Sequence, residues 1–148
     1  MTQIVRRTIP AVVSRSLDAF RASDPVAIGE AFEKHALLVS HVDPKFLSLM
    51  GTTEPGKPVR TRGNLGITQY FARMFASLQI TYADVHSEIR VGRELAMTCD
   101  YEAKFVATGQ SVSARCMGFC TLSPTGRKLE TARTICMLIT PGWDHAFN

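Results

Sequence analysis

The sequence predicts an α+β fold in which three helices from the N-terminal half pack on a strongly curved antiparallel sheet, with an internal pocket between the two layers. Two observations predict this class. Apolar residues recur at helical spacing in the first half of the chain, and after Gln79 their period changes from 3.6 to 2. The length of 148 residues and the apolar share of 45% fit one domain, 1–148, and leave no room for two independent cores.

Three segments carry the helical pattern. The first begins at about residue 10 and repeats apolar side chains at Val13, Leu17 and Phe20. The second follows Asp24, whose carboxylate can cap a helix with Pro25 at its first position, and is expected to run to about residue 35. The third is predicted over about 64–78.

Strands are predicted at 37–39 and, as longer elements, at about 82–91, 95–106, 110–122 and 129–140. Turns at Gly109 and at 123–126 connect the last three into an antiparallel meander. The segment 43–63 is rich in Pro and Gly and is expected to be a long surface loop, with one short strand or turn near Phe46 and Leu47.

The alternation along 95–106 gives the sheet one apolar face, which is expected to meet the helices. A sheet covered on one side by amphipathic helices curves, and small side chains on its concave face leave space unfilled. The side chains predicted to face that space from the sheet are Cys99, Tyr101, Phe105, Ala114, Cys116 and Thr134. The candidates from the helical side are Ser16, Ser40, His41 and Tyr70.

The order of elements resembles the nuclear-transport-factor-2-like superfamily, which includes ketosteroid isomerases, SnoaL-like polyketide cyclases and limonene epoxide hydrolases. The resemblance covers about residues 10–140. Its landmarks are Ser23-Asp24, Phe32-Glu-Lys-His-Ala36, Gly63-Asn-Leu-Gly-Ile67 and Gly126-Arg-Lys-Leu129. It implies a cone-shaped fold whose pocket takes a small molecule.

The resemblance also implies pairing of two copies through the outer face of the sheet. The alternation places four large apolar side chains on that face, namely Met117, Phe119, Ile135 and Met137. Exposing them to water costs about 25 cal/mol per Å² of apolar surface, so we expect a homodimer with isologous contacts.

The catalytic carboxylates of these relatives are missing from the matching positions. Ser16, Ser40 and Cys116 stand where ketosteroid isomerases carry a tyrosine and two aspartates. Cys99, Tyr101 and Thr134 stand where the epoxide hydrolases carry an arginine and two aspartates, and Thr134 also replaces the acid/base aspartate of the cyclases. The resemblance therefore implies the fold without the relatives' proton transfers.

Two other side chains are candidates for catalysis. His41 follows the first predicted strand and can exchange protons near neutral pH, although a histidine bonded to the loop backbone fits the same position. Tyr101 can hydrogen-bond a ligand or simply fill the core.

The four cysteines all fall on predicted strands and form no C-x-x-C pair. Cys99 is expected opposite or near Cys116, with Cys136 close by. A zinc site would lack the usual chelating spacing, and a Cys99–Cys116 disulfide is disfavoured in a reducing cytoplasm, so we expect free thiols that act as small apolar groups. No nucleotide-binding signature is found, and no cofactor or metal is expected.

The composition of the chain limits the classes of partner that are expected. The net charge of +4 is spread along the chain, which argues against nucleic acid as the main partner. No apolar stretch approaches the roughly 20 residues of a membrane-spanning helix, and a cytoplasmic location is expected. The sequence thus predicts a protein that binds a small, largely apolar molecule. The alternatives are an isomerase, cyclase or hydrolase that uses His41 or Tyr101, and a non-enzymatic dimeric interaction module.

Overall fold

The computed structural model describes residues 9–42 and 57–139. Their helices are α1 (Ala11–Arg21), α2 (Pro25–Glu30) and α3 (Asn64–Ser77). Their strands are β1 (Phe32–Val42), β2 (Val59–Arg62), β3 (Leu78–Val91), β4 (Glu94–Phe105), β5 (Ser111–Leu122) and β6 (Leu129–Ile139). The predicted order of elements is confirmed, and β2 is an addition within the predicted loop. The turn or strand expected near Phe46 and Leu47 lies outside the described residues.

The second helix is shorter than predicted. Asp24 caps it as expected, because its carboxylate accepts a hydrogen bond from the Ala27 N–H at 3.1 Å. The helix ends at Glu30 rather than near residue 35. The carbonyl of Ala31 instead accepts a hydrogen bond from the Leu129 N–H at 2.8 Å, so the following backbone enters the sheet.

The six strands that the structure describes form one sheet in the order β2-β1-β6-β5-β4-β3. Four of the five neighbouring pairs are antiparallel, but β1 runs parallel to β6. The predicted α+β fold with an antiparallel meander is confirmed, and the parallel β1–β6 pair makes the sheet mixed. The meander from β3 to β6 is antiparallel because short turns connect its strands, whereas β1 reaches β6 across most of the chain length.

Irregular pairing bends this sheet. Between Phe32 and Leu37, β1 advances by five residues while its partners on β6 advance only from Leu129 to Thr131. The pairing of β3 with β4 shifts register twice, between Ile80 and Tyr82 and between Val85 and Ser87. Extra residues of this kind bend a strand and increase its twist, which gives the sheet a concave face.

The helices cover the concave face, and the core lies between the two layers. Val12 and Val13 of α1 and Ile67 of α3 are buried in this core. α2 and α3 approach closely at Gly29, where an added Cβ would overlap the Thr68 Oγ1 atom and lie 3.0 Å from the Asn64 carbonyl oxygen. Among the described residues, no helix is both long and apolar enough to cross a membrane.

Candidate functional site

A cavity of about 740 Å³ lies between the concave face of the sheet and the helices α1 and α3. Its walls are mostly apolar, with aromatic side chains from both helices and small side chains from β5 and β6. Gly118 and Ala132 lie on those two strands and leave the space that larger residues would occupy. The cavity falls within the usual size range of sites for small organic molecules, about 300–1,000 Å³.

The structure brings together most of the residues that the sequence singles out. Seven of them line the cavity, namely Ser16, Ser40, Tyr70, Cys99, Tyr101, Cys116 and Thr134. Phe105 and Ala114 face the same side of the sheet but are buried in the core beside Leu78 and Ile80 instead of lining the cavity.

The expectation that His41 reaches the pocket needs correction. Ser40 pairs with Thr134, and both side chains line the cavity. The next residue, His41, pairs with Ile135, whose side chain is exposed on the outer face. Because successive side chains of a strand point to opposite faces, His41 lies on the outer side. It does not contribute to the cavity.

Two hydroxyl groups form a hydrogen bond in the cavity wall, and a third lies near them. The Thr134 hydroxyl donates to the Ser40 Oγ atom at 3.3 Å, and Ser40 is 2% exposed. The third hydroxyl is that of Tyr70, which lies near Ser40 and lines the same cavity. Since Ser40 accepts from Thr134, its own proton is available to another acceptor.

Burial raises the pKa of Tyr70, while the nearby Ser40 hydroxyl and Arg73 guanidinium oppose that rise. Burial also raises the pKa of Tyr101, and the neighbouring Tyr70 raises it further. Both phenols are therefore protonated at neutral pH and act as hydrogen-bond donors. The hydroxyl of Tyr101 has no hydrogen-bond partner among the side chains that the structure describes, and its ring is held edge-on by Phe20 at 5.4 Å.

Ser16 is less available to a ligand, because its hydroxyl donates to the Val12 carbonyl within α1 at 2.9 Å. Arg73 was not predicted, yet it lines the cavity and is exposed, so it lies where the cavity meets solvent. It follows Tyr70 by three residues in α3, and this i, i+3 spacing is the signal that would have placed the two side chains together.

The cysteines differ from the prediction of four free thiols. Cys116 and Cys136 pair across β5 and β6 and form a disulfide, whereas Cys99 and Cys120 are free. Burial, with contributions from Asp100 and Asp84, raises the pKa of Cys99 to about 11. The bond forms because the register of the last hairpin sets Cys136 directly opposite Cys116.

The cavity wall offers a ligand hydrogen-bond donors and apolar surface. No Asp, Glu or His occurs among the described residues that line the cavity, and Arg73 places a charge where the cavity meets solvent, whereas Arg133 pairs with Phe119 of the outer face. No group of three or more His, Cys, Asp or Glu side chains in 9–42 and 57–139 is arranged to hold a metal ion. Such a wall can bind and orient a molecule with an oxygen acceptor, but it offers no base that titrates near pH 7.

No family model and no curated protein matches this sequence. The fold, however, is shared with solved structures. A protein of ketosteroid isomerase-like fold from Catenulispora acidiphila, solved in complex with trimethylamine, aligns with a TM-score of 0.68 at 15% identity over 86% of this chain and 85% of that one. A putative isomerase from Bacillus subtilis gives 0.68 at 12% identity over 85% of this chain and 84% of its own.

A third similar structure is SalBIII, an epoxide hydrolase/cyclase-like enzyme of pyran ring formation in the polyether salinomycin. It aligns with a TM-score of 0.64 at 19% identity over 92% of each chain. These likenesses confirm the predicted α+β fold, which is that of the ketosteroid isomerase-like and nuclear-transport-factor-2-like proteins. At such identities the likeness concerns the fold alone.

Proposed function

We propose that this protein binds a small, largely apolar molecule that carries one oxygen acceptor, in the cavity between the sheet and the helices. The observation that carries the proposal is the pair of phenols in an otherwise apolar wall. The Tyr101 hydroxyl has no side-chain hydrogen-bond partner among the described residues, and the Tyr70 hydroxyl lines the same cavity. A carbonyl or ether oxygen in the ligand would satisfy these donors while the rest of the molecule contacts apolar side chains.

Binding is favoured over the isomerase, cyclase or hydrolase alternatives. His41 lies on the outer face, and the raised pKa of Tyr101 keeps this phenol protonated at neutral pH, so it cannot serve as a base there. Phenol donors can still polarise a bound carbonyl. The cavity thus supports recognition of a carbonyl compound without supplying the proton acceptor that the relatives' reactions need.

The test uses two probes of nearly equal shape. 2-Acetylnaphthalene offers a carbonyl acceptor, whereas 2-ethylnaphthalene does not. We expect the ketone to bind about 5-fold or more tightly than the hydrocarbon, as one hydrogen bond of about 1 kcal/mol predicts. In Tyr101→Phe this preference is expected to fall, while the hydrocarbon binds as before.

Tyr82→Phe is the matched control, because Tyr82 is exposed on β3. Titration calorimetry on the three proteins measures both affinities. A ketone preference that is unchanged in Tyr101→Phe would contradict the proposed role of this phenol. Failure of both probes to bind the wild-type protein would contradict the binding site itself.

We further propose that the protein is a homodimer that buries the outer face of the sheet. Met117 and Ile135 are direct register partners there, and Phe119 and Met137 lie next to them on the same two strands. All four are 36% to 48% exposed in the single chain. A two-fold contact would cover this apolar patch with its own copy.

Sedimentation of Phe119→Glu tests the dimer. A charge at the centre of the patch is expected to produce monomers, whereas Val106→Glu, at an exposed apolar residue outside the patch, is expected to sediment like wild type. A monomeric wild-type protein, or a Phe119→Glu variant that sediments as the same dimer, would contradict the proposal. The cytoplasmic location expected from the sequence also stays a proposal, which cell fractionation tests; the Cys116–Cys136 disulfide counts against it, because a reducing cytoplasm disfavours such bonds.

A further inference from the structure

Three cysteines lie side by side across three neighbouring strands in the cavity wall. Cys99 of β4 is the register partner of Cys116 of β5, and Cys116 is the register partner of Cys136 of β6. All three line the cavity, and we call them the cysteine row. Cys120 is not part of the row, because it pairs with Leu95 and Ala132.

The middle cysteine lies directly opposite both neighbours, at Cα spacings that a disulfide can span. The Cα atoms of Cys116 and Cys136 are 4.2 Å apart, as in the closely spaced, non-hydrogen-bonded pairs of an antiparallel sheet. The backbone N–H and C=O of Cys116 must then face β4, which makes Cys99 and Cys116 a hydrogen-bonded pair with Cα atoms about 5.5 Å apart. Disulfides usually span Cα separations of about 4.4–6.8 Å with Cβ atoms about 3.5–4.5 Å apart, so Cys116 can bond Cys99 after the two Cβ atoms approach by about 1 Å, and it can bond one neighbour at a time.

We propose that the cysteine row is a thiol–disulfide exchange site whose reactants are small apolar thiols that enter the cavity. The inference goes beyond the binding function, since it concerns covalent chemistry of the wall. Cys116 is the sulfur shared by two mutually exclusive disulfides, and Cys99 is the thiol that resolves the mixed disulfide.

The exchange proceeds in two balanced steps. The thiolate of the small molecule attacks the Cys116 Sγ atom, the bond to Cys136 breaks, and the departing Cys136 sulfur takes up a proton from water. Cys99, having released its proton to water, then attacks the same Cys116 sulfur and expels the small thiolate. The products are a Cys99–Cys116 disulfide, a free Cys136 thiol and the regenerated small thiol, with no net oxidation or reduction.

The environment determines which thiols react and at what pH. The apolar wall penalises a charged thiol, because its charge would lose hydration on entry. The resolving step depends on the thiolate of Cys99, whose charge is disfavoured by burial and by Asp100 of β4 and Asp84 of β3, and favoured by Arg21 of α1. Disulfide-bonded Cys116 and Cys136 add no charge across from it. Resolution is therefore expected to accelerate about tenfold per pH unit between pH 7 and 9.

The experiment incubates the oxidised, full-length protein with one equivalent of benzyl mercaptan without oxygen. Free thiols are then alkylated in acid, and the disulfides are located by peptide mass mapping. We expect Cys99–Cys116 to appear as Cys116–Cys136 declines. In Cys99→Ser the mixed disulfide at Cys116 is expected to accumulate at least tenfold above its wild-type level, because the resolving thiol is gone.

Two controls make the outcome decisive. Cys120→Ser should exchange like wild type, and anionic 2-mercaptoethanesulfonate should react at least tenfold more slowly than benzyl mercaptan. An unmoved Cys116–Cys136 bond, an equal rate with the anionic thiol, or no accumulation in Cys99→Ser would each overturn the proposal. Peptide mapping detects covalent bonds, whereas titration calorimetry detects ketone binding. Either test can therefore succeed while the other fails.

Discussion

The cross-strand disulfide makes a quantitative prediction about stability. Cys116 and Cys136 are separated by 20 residues, and closing a loop of that length in the unfolded chain is worth about 3 kcal/mol in the loop-entropy treatment. Cys116→Ala removes this cross-link and also the sulfur needed for a bond to Cys99. For a domain of this size the loss corresponds to a fall in Tm of about 6–12 °C.

Differential scanning calorimetry with and without a phosphine reductant measures the effect. The reductant is expected to destabilise the wild-type protein by about as much as the substitution does, and to leave Cys116→Ala unchanged. Cys120→Ala corrects for the loss of a buried sulfur, because Cys120 is free and buried. The stabilising role of the disulfide would be refuted if Cys116→Ala and Cys120→Ala were equally destabilised and the wild-type Tm were the same with and without the reductant.

Three further substitutions test the helix packing, the Ser40–Thr134 hydrogen bond and a surface ion pair. Gly29→Ala is expected to cost about 1–3 kcal/mol in denaturant unfolding, since the new Cβ overlaps Thr68, and adding Thr68→Ala should recover part of the loss. Ser40→Ala is expected to cost about 0.5–1.5 kcal/mol in the same assay, because the Thr134 hydroxyl loses its acceptor, and a neutral effect would contradict this hydrogen bond. Arg115 donates two hydrogen bonds to Asp100, at 2.8 and 3.1 Å, and lowers the pKa of the Asp100 carboxyl. The folded state is stabilised by this pair above the ordinary aspartate pKa, and the stabilisation is lost as the pH falls through the pKa of the folded protein. Asp100→Asn should therefore cost at most about 1 kcal/mol at pH 7 and nothing near pH 2, and a cost that persists at pH 2 would contradict the ion pair.

Local patterns of the sequence predict the elements whose causes are local. Asp24 and Pro25 mark the start of α2 because capping depends on adjacent residues. The alternation along β4 predicts that Cys99 and Tyr101 share a face, because side chains of a strand alternate regardless of its partners. Neither of these two predictions requires knowledge of the rest of the chain.

The sequence does not predict which distant segments pair with each other in the sheet. The parallel contact of β1 with β6 joins residues nearly one hundred positions apart, such as Ser40 and Thr134. The orientation of His41 depends on that register, since a slip of one residue moves every side chain to the other face. Likewise, Cys116 could be bonded to Cys99 or to Cys136 until the register and spacing of three strands are known.

The proposed site is tested most directly by closing the cavity from within. Gly118 faces the cavity, and the nearest atoms to an added Cβ are those of Met97, at 3.7 Å, so Gly118→Leu is expected to fold and to fill the space. Met117→Leu changes the opposite face of the same strand and is the matched control. Titration calorimetry with 2-acetylnaphthalene should show at least a tenfold loss of affinity in Gly118→Leu and none in Met117→Leu. Equal affinity in both variants would show that the probe binds elsewhere.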